Sequence, residues 1–201
     1  MIVTISNQYG CGARDIAERA AAELGYAVID RELPVVVAKR MRISDAQAEA
    51  ADETGRSLGS RLLTSLELAT PEVAVTNFGQ TFDDDYVREV QEAVREFAAR
   101  GNVVIMGRAA GAILGRRDDL VRVYLYAPLD WRIDRAAERL GGDRKTAQSE
   151  VERVDRARRA HLRDWYRVEQ GSPEIVDLAI DTSSFSAQTC AELIVTAVRA
   201  L

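Results

Sequence analysis

Short β-branched runs alternate with helically spaced apolar residues at both ends of this chain. Ile2-Val3-Thr4-Ile5-Ser6 has the length and branching of a buried strand. Gly10, Cys11 and Gly12 then predict a tight turn. Over residues 14–24, Ile16, Ala17, Ala20, Ala21 and Leu24 recur at helical spacing, and Gly25 is placed to end that helix. Tyr26-Ala27-Val28-Ile29-Asp30 reads as a second strand. A strand, turn, helix and strand within so short a span form a βαβ unit, which requires parallel pairing.

Residues 32–100 carry helical signals and little strand. Ser44 and Gln47 have capping-box spacing, and residues 57–68 place Leu58, Leu62, Leu63 and Leu66 at near-helical intervals. Residues 71–82 are turn-rich. Residues 83–100 predict a long amphipathic helix, with Asp83, Asp84 and Asp85 at its start and arginines toward its end, as the helix dipole favours. Strand signals return at 102–107, 121–127 and 175–181, and Pro128 stops the second of these. Helices are predicted at 129–140, ended by Gly141-Gly142, and at 186–201. A heavily charged helix or helix pair is predicted at 143–168. The fold class is therefore α/β: a five-stranded parallel sheet with helices on both faces. The chain reads as a single domain over 1–201, with a helical insertion at 32–100.

Composition narrows the function. The chain has 201 residues, of which 47% are hydrophobic and 29% charged, enough for one full core. A net charge of −5 speaks against general affinity for nucleic acid. Of 27 basic residues only Lys39 and Lys145 are lysine, so arginine abundance is a compositional habit and not a functional signal. His161 is the sole histidine, which excludes histidine triads and multi-histidine metal sites. Cys11 and Cys190 lack metal-ligand spacing and are expected as reduced thiols. No apolar run approaches the roughly 20 residues of a membrane helix. A cytoplasmic protein without a membrane partner is expected, with self-association left open.

The turn after the first strand is the first candidate site. A glycine turn between strand and helix directs backbone N–H groups at anions. The standard phosphate loop, G-x-x-x-x-G-K-[ST], is only partly kept here. Aligned on Gly12, Asn7 replaces the first glycine, Ala13 the lysine and Arg14 the hydroxyl residue. Arg14 is then the nearest cation to stand in for the lysine. A bare strand–helix turn fits the local string equally well. Cys11 lies beside a helix N-terminus, a position that lowers a thiol's pKa.

The opening I-T-I-S-x-x-Y-G-x-G-x-R-[DE]-I resembles that of the cytidylate kinase-like family, a branch of the nucleoside monophosphate kinases. Further matching pieces follow in order: Val28-Ile29-Asp30-Arg31-Glu32-Leu33, Val104-Ile105-Met106-Gly107-Arg108, Tyr124-Leu125-Tyr126-Ala127-Pro128 and Asp177-Leu178-Ala179-Ile180-Asp181-Thr182-Ser183. The resemblance implies a phosphate-loop kinase fold and ATP-dependent phosphoryl transfer, with ATP and Mg2+ at the glycine turn. It implies a nucleoside monophosphate or similar small phosphate acceptor beneath the 32–100 insertion, and a lid at 141–170. Gly10, Cys11, Gly12, Ala13 and Arg14 would hold the donor phosphates. Asp30, Arg31 and Arg108 would address the acceptor. Arg14, Arg156 and Arg159 would neutralise charge in the transition state.

The departures bear on chemistry. Cytidylate kinases proper have the loop lysine, and an acid after the Gly-Arg that ends the third strand; here that position is Ala109. The alternative is a non-catalytic nucleotide- or phosphate-binding module with a degenerate loop. Within the lid, Arg156 and Arg159 share a helix face, and Asp155 and Arg159 have the spacing of an ion pair. Arg132 and Arg135 belong to the same region, with nothing local to single them out. His161 and Trp165 are helical neighbours expected to pack the lid helix. The acids at 83–85 read as a favourable helix start, not a metal site.

Overall fold

The computed structural model describes residues 1–30, 32–40 and 80–201. Arg31, the Ser44/Gln47 pair, the run 57–68 and residues 71–79 lie outside the described residues. Five strands form one parallel sheet in the order β2-β3-β1-β4-β5. The central strand is β1 (Ile2–Asn7), flanked by β3 (Val103–Met106) and β4 (Leu120–Tyr126). β2 (Ala27–Ile29) and β5 (Leu178–Asp181) are the edges. Ile5 lies opposite Met106 on one side and Val123 on the other, so β1, β3 and β4 all point their carboxyl ends at one edge. These strands are covered on both faces, which is why they are near-continuous apolar runs.

The helices sort by their buried stripes. α1 (Ala13–Leu24) and the C-terminal helix Ala187–Arg199 cover one face. Ile16, Ala20, Ile194 and Val195 pack there against Val3, Ile5 and Val123. The other face is covered by α2 (Glu32–Arg40), α3 (Gln80–Arg100) and the short α4 (Ala110–Leu114), with Leu33, Val37, Val94 and Phe97 against Ile2, Val103 and Ile105. α5 (Leu129–Leu140) and α6 (Arg144–His161) form a hairpin with a small core of its own, including Tyr9, Ile133, Ala147, Val151 and Val154. Counted after these, the C-terminal helix is α7.

α1 carries the chain from β1 toward one edge of the sheet, whereas α4 carries it from β3 across to β4 on the other side. The order reverses between β1 and β3, and in open α/β sheets ligands bind in the crevice outside the carboxyl ends at that point.

Three boundaries differ from expectation. α3 starts at Gln80, so helix replaces the last part of the turn-rich stretch. β5 starts at Leu178: residues 172–175 form a turn in which the Ile175 N–H donates to Ser172 O, and the Asp177 N–H then makes a bond to β4 at Arg122 O. The charged 143–168 stretch is one helix, capped by the Asp143 carboxylate on the N–H groups of Lys145 and Thr146, and followed by one π-helical turn, Leu162–Tyr166. Among the described residues no helix is long and apolar enough to cross a membrane.

Candidate functional site

The glycine turn has the expected backbone. Gly10 and Gly12 have φ of 86° and 79°, the left-handed region that side-chain-bearing residues rarely enter. A methyl group on Gly10 would lie 2.7 Å from the carbonyl oxygen of Arg132, so the loop rests directly on the start of α5. Gly12 is the N-cap of α1 and no side chain caps that helix. The N–H groups of Gly10 and Gly12 meet no internal acceptor among the described residues. These features fit an anion cradle.

Cys11 partly fills the turn from beneath. It is buried among Ile5, Ala13 and Ile16, and its sulfur faces the Ala13 N–H and the Asn7 amide. Burial pushes its thiol up to about 11, outweighing the nearby Arg158 and Arg132 charges. The expectation of an acidified thiol at the helix N-terminus is thereby corrected: the sulfur sits in the core, where the thiolate is poorly solvated.

Beside the turn, a cavity of about 30 Å³ opens between the ends of β1 and β3. Its walls include Ser6, Asn7, Arg108, Arg158, His161 and Gln170. Arg108 is buried, with 6% of its surface exposed. Gly107, Arg108 and Ala109 have φ of 67°, 56° and 53°, three left-handed residues in succession. Two of them carry side chains, which costs on the order of 1–3 kcal/mol each. The strain turns the chain sharply from β3 into α4, whose N-cap is Ala109, and sets Arg108 in the cavity wall. From the other side, Arg158 Nη1 donates to Asn7 O at 2.8 Å and Gln170 Nε2 to the same oxygen at 3.2 Å.

A buried ion pair lies under the turn. Asp155 Oδ1 accepts the Tyr9 N–H at 2.9 Å and Oδ2 accepts Arg132 Nη1 at 2.6 Å. Arg132 also donates to Tyr9 O and Ala127 O, both at 3.0 Å. The expected Asp155–Arg159 pairing is thus replaced, because Asp155 faces inward on α6 while Arg159 is exposed. Arg135 stacks its guanidinium 4.8 Å from the Trp131 ring centre, with Nη2 3.2 Å from where a Gly12 methyl would be. The sequence places Arg132 and Arg135 in the lid region with nothing local to single them out; their contacts with the turn are seen only in the fold.

The remaining predicted residues are dispersed. Arg14 is half-exposed, donates to Glu18 at 2.8 Å, and has Nη1 3.9 Å from Asp30. Arg14 and Asp30, assigned to donor and acceptor, therefore stand together beyond the turn. Arg156 is exposed and pairs with Glu152 at 3.5 Å. His161 meets Tyr166 edge-on at 5.7 Å and lines the cavity, so it does more than pack the helix. The Tyr124 hydroxyl is raised to about 12 by burial and by the Asp155 charge. Asp85, of the acid run, pairs with Arg88 at 3.0 Å.

A parallel sheet of order 2-3-1-4-5 with a glycine turn after its central strand defines the phosphate-loop kinase fold, and comparison with known proteins agrees. The cytidylate kinase-like family profile matches residues 2–184, and the chain belongs to that family. Among curated proteins it is 27% identical to the cytidylate kinase of Natronomonas pharaonis, over 100% of this chain and 90% of that protein. Among solved structures it resembles an uncharacterized protein from Eubacterium ventriosum, with a TM-score of 0.70, 18% identity, and coverage of 100% and 99% of the two chains. It also resembles shikimate kinase from Acinetobacter baumannii in complex with shikimate, with a TM-score of 0.52 and 15% identity over 99% and 93%.

Proposed function

We propose that this protein catalyses ATP-dependent phosphoryl transfer to a nucleoside monophosphate or a related small phosphate acceptor. The observation that carries the reading is the meeting of Arg108 and Arg158 on one cavity at the β1/β3 crevice, beside the glycine turn. An acceptor oxygen attacks the γ-phosphorus, the bond to the bridging β-oxygen breaks, and ADP leaves. Such a transfer needs positioning and positive charge more than covalent help from the protein. Arginine supplies both, because its planar fork binds phosphate bidentately and stays protonated.

In this reading the backbone of Gly10, Cys11, Gly12 and Ala13 holds the donor phosphates, with Arg14 and Arg135 as nearby cations. Arg108, Asp30 and Arg31 address the acceptor, and Arg156 and Arg159 close from the lid at 141–170. Among the described residues no cluster of three His, Cys, Asp or Glu side chains could hold a metal. Mg2+ would then be held chiefly by the nucleotide phosphates, where it neutralises charge. The curated relative's name supports a monophosphate acceptor. Ala109, where cytidylate kinases proper have an acid, leaves the base open.

The test is a screen of CMP, dCMP, UMP, AMP, GMP and non-nucleotide phosphates with ATP and Mg2+, read by ADP release. Turnover with one or more monophosphates supports the reading. ATP binding by calorimetry with no turnover on any acceptor favours the second reading, a nucleotide-binding module without chemistry. That reading draws on Ala13 in the lysine position and on Arg14 being engaged by Glu18.

A further inference from the structure

We propose that Asp155 and Arg132 are positioning residues that hold the glycine turn in its anion-binding shape; the inference rests on the kinase reading above. The pair grips the Tyr9 residue at both its peptide groups. Asp155 takes its N–H and Arg132 its carbonyl, and the two side chains close the ring through a 2.6 Å contact. Both are nearly fully buried, so solvent neither competes for these bonds nor screens them. Arg132 is itself fixed by Ala127 O at the end of β4. Tyr9 immediately precedes Gly10, whose left-handed backbone lies against the Arg132 carbonyl. Where the Gly10 and Gly12 N–H groups point is therefore set by a strap joining β4, α5 and α6.

A carboxylate this close to bound phosphate would be unfavourable on charge alone. Its presence makes sense if the geometry it imposes outweighs the repulsion, with Arg132 neutralising it. This gives the test a sign. Asp155→Asn removes a negative charge from beneath the turn and leaves Arg132 without its ionic partner. If Asp155 acts only through its charge, the variant binds ATP more tightly. If it only stabilises the fold, the variant melts earlier and binds ATP unchanged. Positioning predicts weaker binding of ATP with Mg2+, by about tenfold or more, despite the gain in positive charge.

Arg132→Lys is the companion variant. It keeps a cation for Asp155 but cannot reach Asp155, Tyr9 O and Ala127 O together, and it should behave like Asp155→Asn. The second readout is hydrogen exchange in the ligand-free protein. The Tyr9 and Cys11 amides, the two in the turn that have acceptors, should exchange at least tenfold faster in either variant, while those of Val103–Met106 stay as in wild type. Unchanged exchange at Tyr9 and Cys11 in a folded variant overturns the strap. Wild type that fails to bind ATP overturns the kinase reading alone, because the exchange comparison needs no nucleotide. If Asp155→Asn does not fold, Arg132→Lys carries both measurements.

Discussion

Two side chains in and beside the turn point in opposite directions, and each can be checked separately. Arg14 sits where it could serve the donor phosphates, yet its guanidinium is held by Glu18. An exposed helical pair of that kind contributes about 0.3–0.5 kcal/mol. If nucleotide draws Arg14 away from Glu18 onto phosphate, Arg14→Ala should weaken ATP binding or turnover about tenfold or more, with little change in thermal stability. Unchanged affinity and rate would assign Arg14 to its surface pair and strengthen the case for a module without chemistry. Cys11 gives the second check. With its thiol raised to about 11, only a minute fraction is thiolate near pH 7.5, and the sulfur is covered by the core. Alkylation of Cys11 should be slow in the native protein and rapid once it is unfolded in urea. Rapid native labelling, read by peptide mass spectrometry, would show that the turn opens readily.

At the scale of elements, the loop leading into β5 depends on one ion pair. Arg122 is buried on β4, and it meets both Asp177 carboxylate oxygens while Nη1 donates to Glu174 O. The Arg122 hydrogen bonds hold the Asp177 carboxyl below its ordinary 3.8. A carboxylate whose pKa is depressed on folding adds stability above the unfolded value and loses it as pH falls through the folded one. Asp177→Asn should therefore lower stability at pH 7 and pH 5. The gap from wild type should shrink once the pH is taken below about 3.8, when urea midpoints of the two proteins are compared. A gap that stays constant down to pH 2.5 would rule out the carboxylate's ionisation as its source.

The elements themselves were largely legible in the sequence. β3 appears as an unbroken apolar run and β1 as a nearly continuous one because both their faces are covered, and Gly25 and Gly141 end helices in the left-handed conformation their type permits. α4 was not foreseen, because five residues, one of them Gly111, are too few to show a helical period. The strap beneath the turn was equally hidden. Tyr9, Arg132 and Asp155 are joined across 123 and 146 residues of chain, and no local pattern marks a partner at that separation. Nor does sequence announce that Arg108 and Ala109 take left-handed backbone, since neither residue type favours it.

For the whole molecule, the proposal that α6 belongs to a lid has to be reconciled with how well this charged helix packs. α6 buries Ala147, Val151 and Val154, yet against α5 and Tyr9, in a core distinct from the two that flank the sheet. It hydrogen-bonds to the sheet through Arg158 to Asn7 O, while Asp155 and the apolar core join it to the turn at Tyr9. A hairpin with its own apolar seam is suited to move as one body together with the Tyr9 backbone that Asp155 and Arg132 hold, since the part-buried Arg158 bond to Asn7 exchanges for water at lower cost than a core is opened. Hydrogen exchange of ligand-free protein should show Leu129–Leu140 and Arg144–His161 exchanging together, and faster than Ile2–Asn7 and Val103–Met106. ATP with Mg2+ should slow both helices in parallel if the phosphates bridge the turn and α6. Exchange in α6 as slow as in the central strands without ligand would mean that the hairpin is a fixed wall of the site. Exchange in α6 that outpaces α5 would place the moving boundary at Gly141-Gly142 instead, where φ of 92° and 95° ends one helix before Asp143 caps the next.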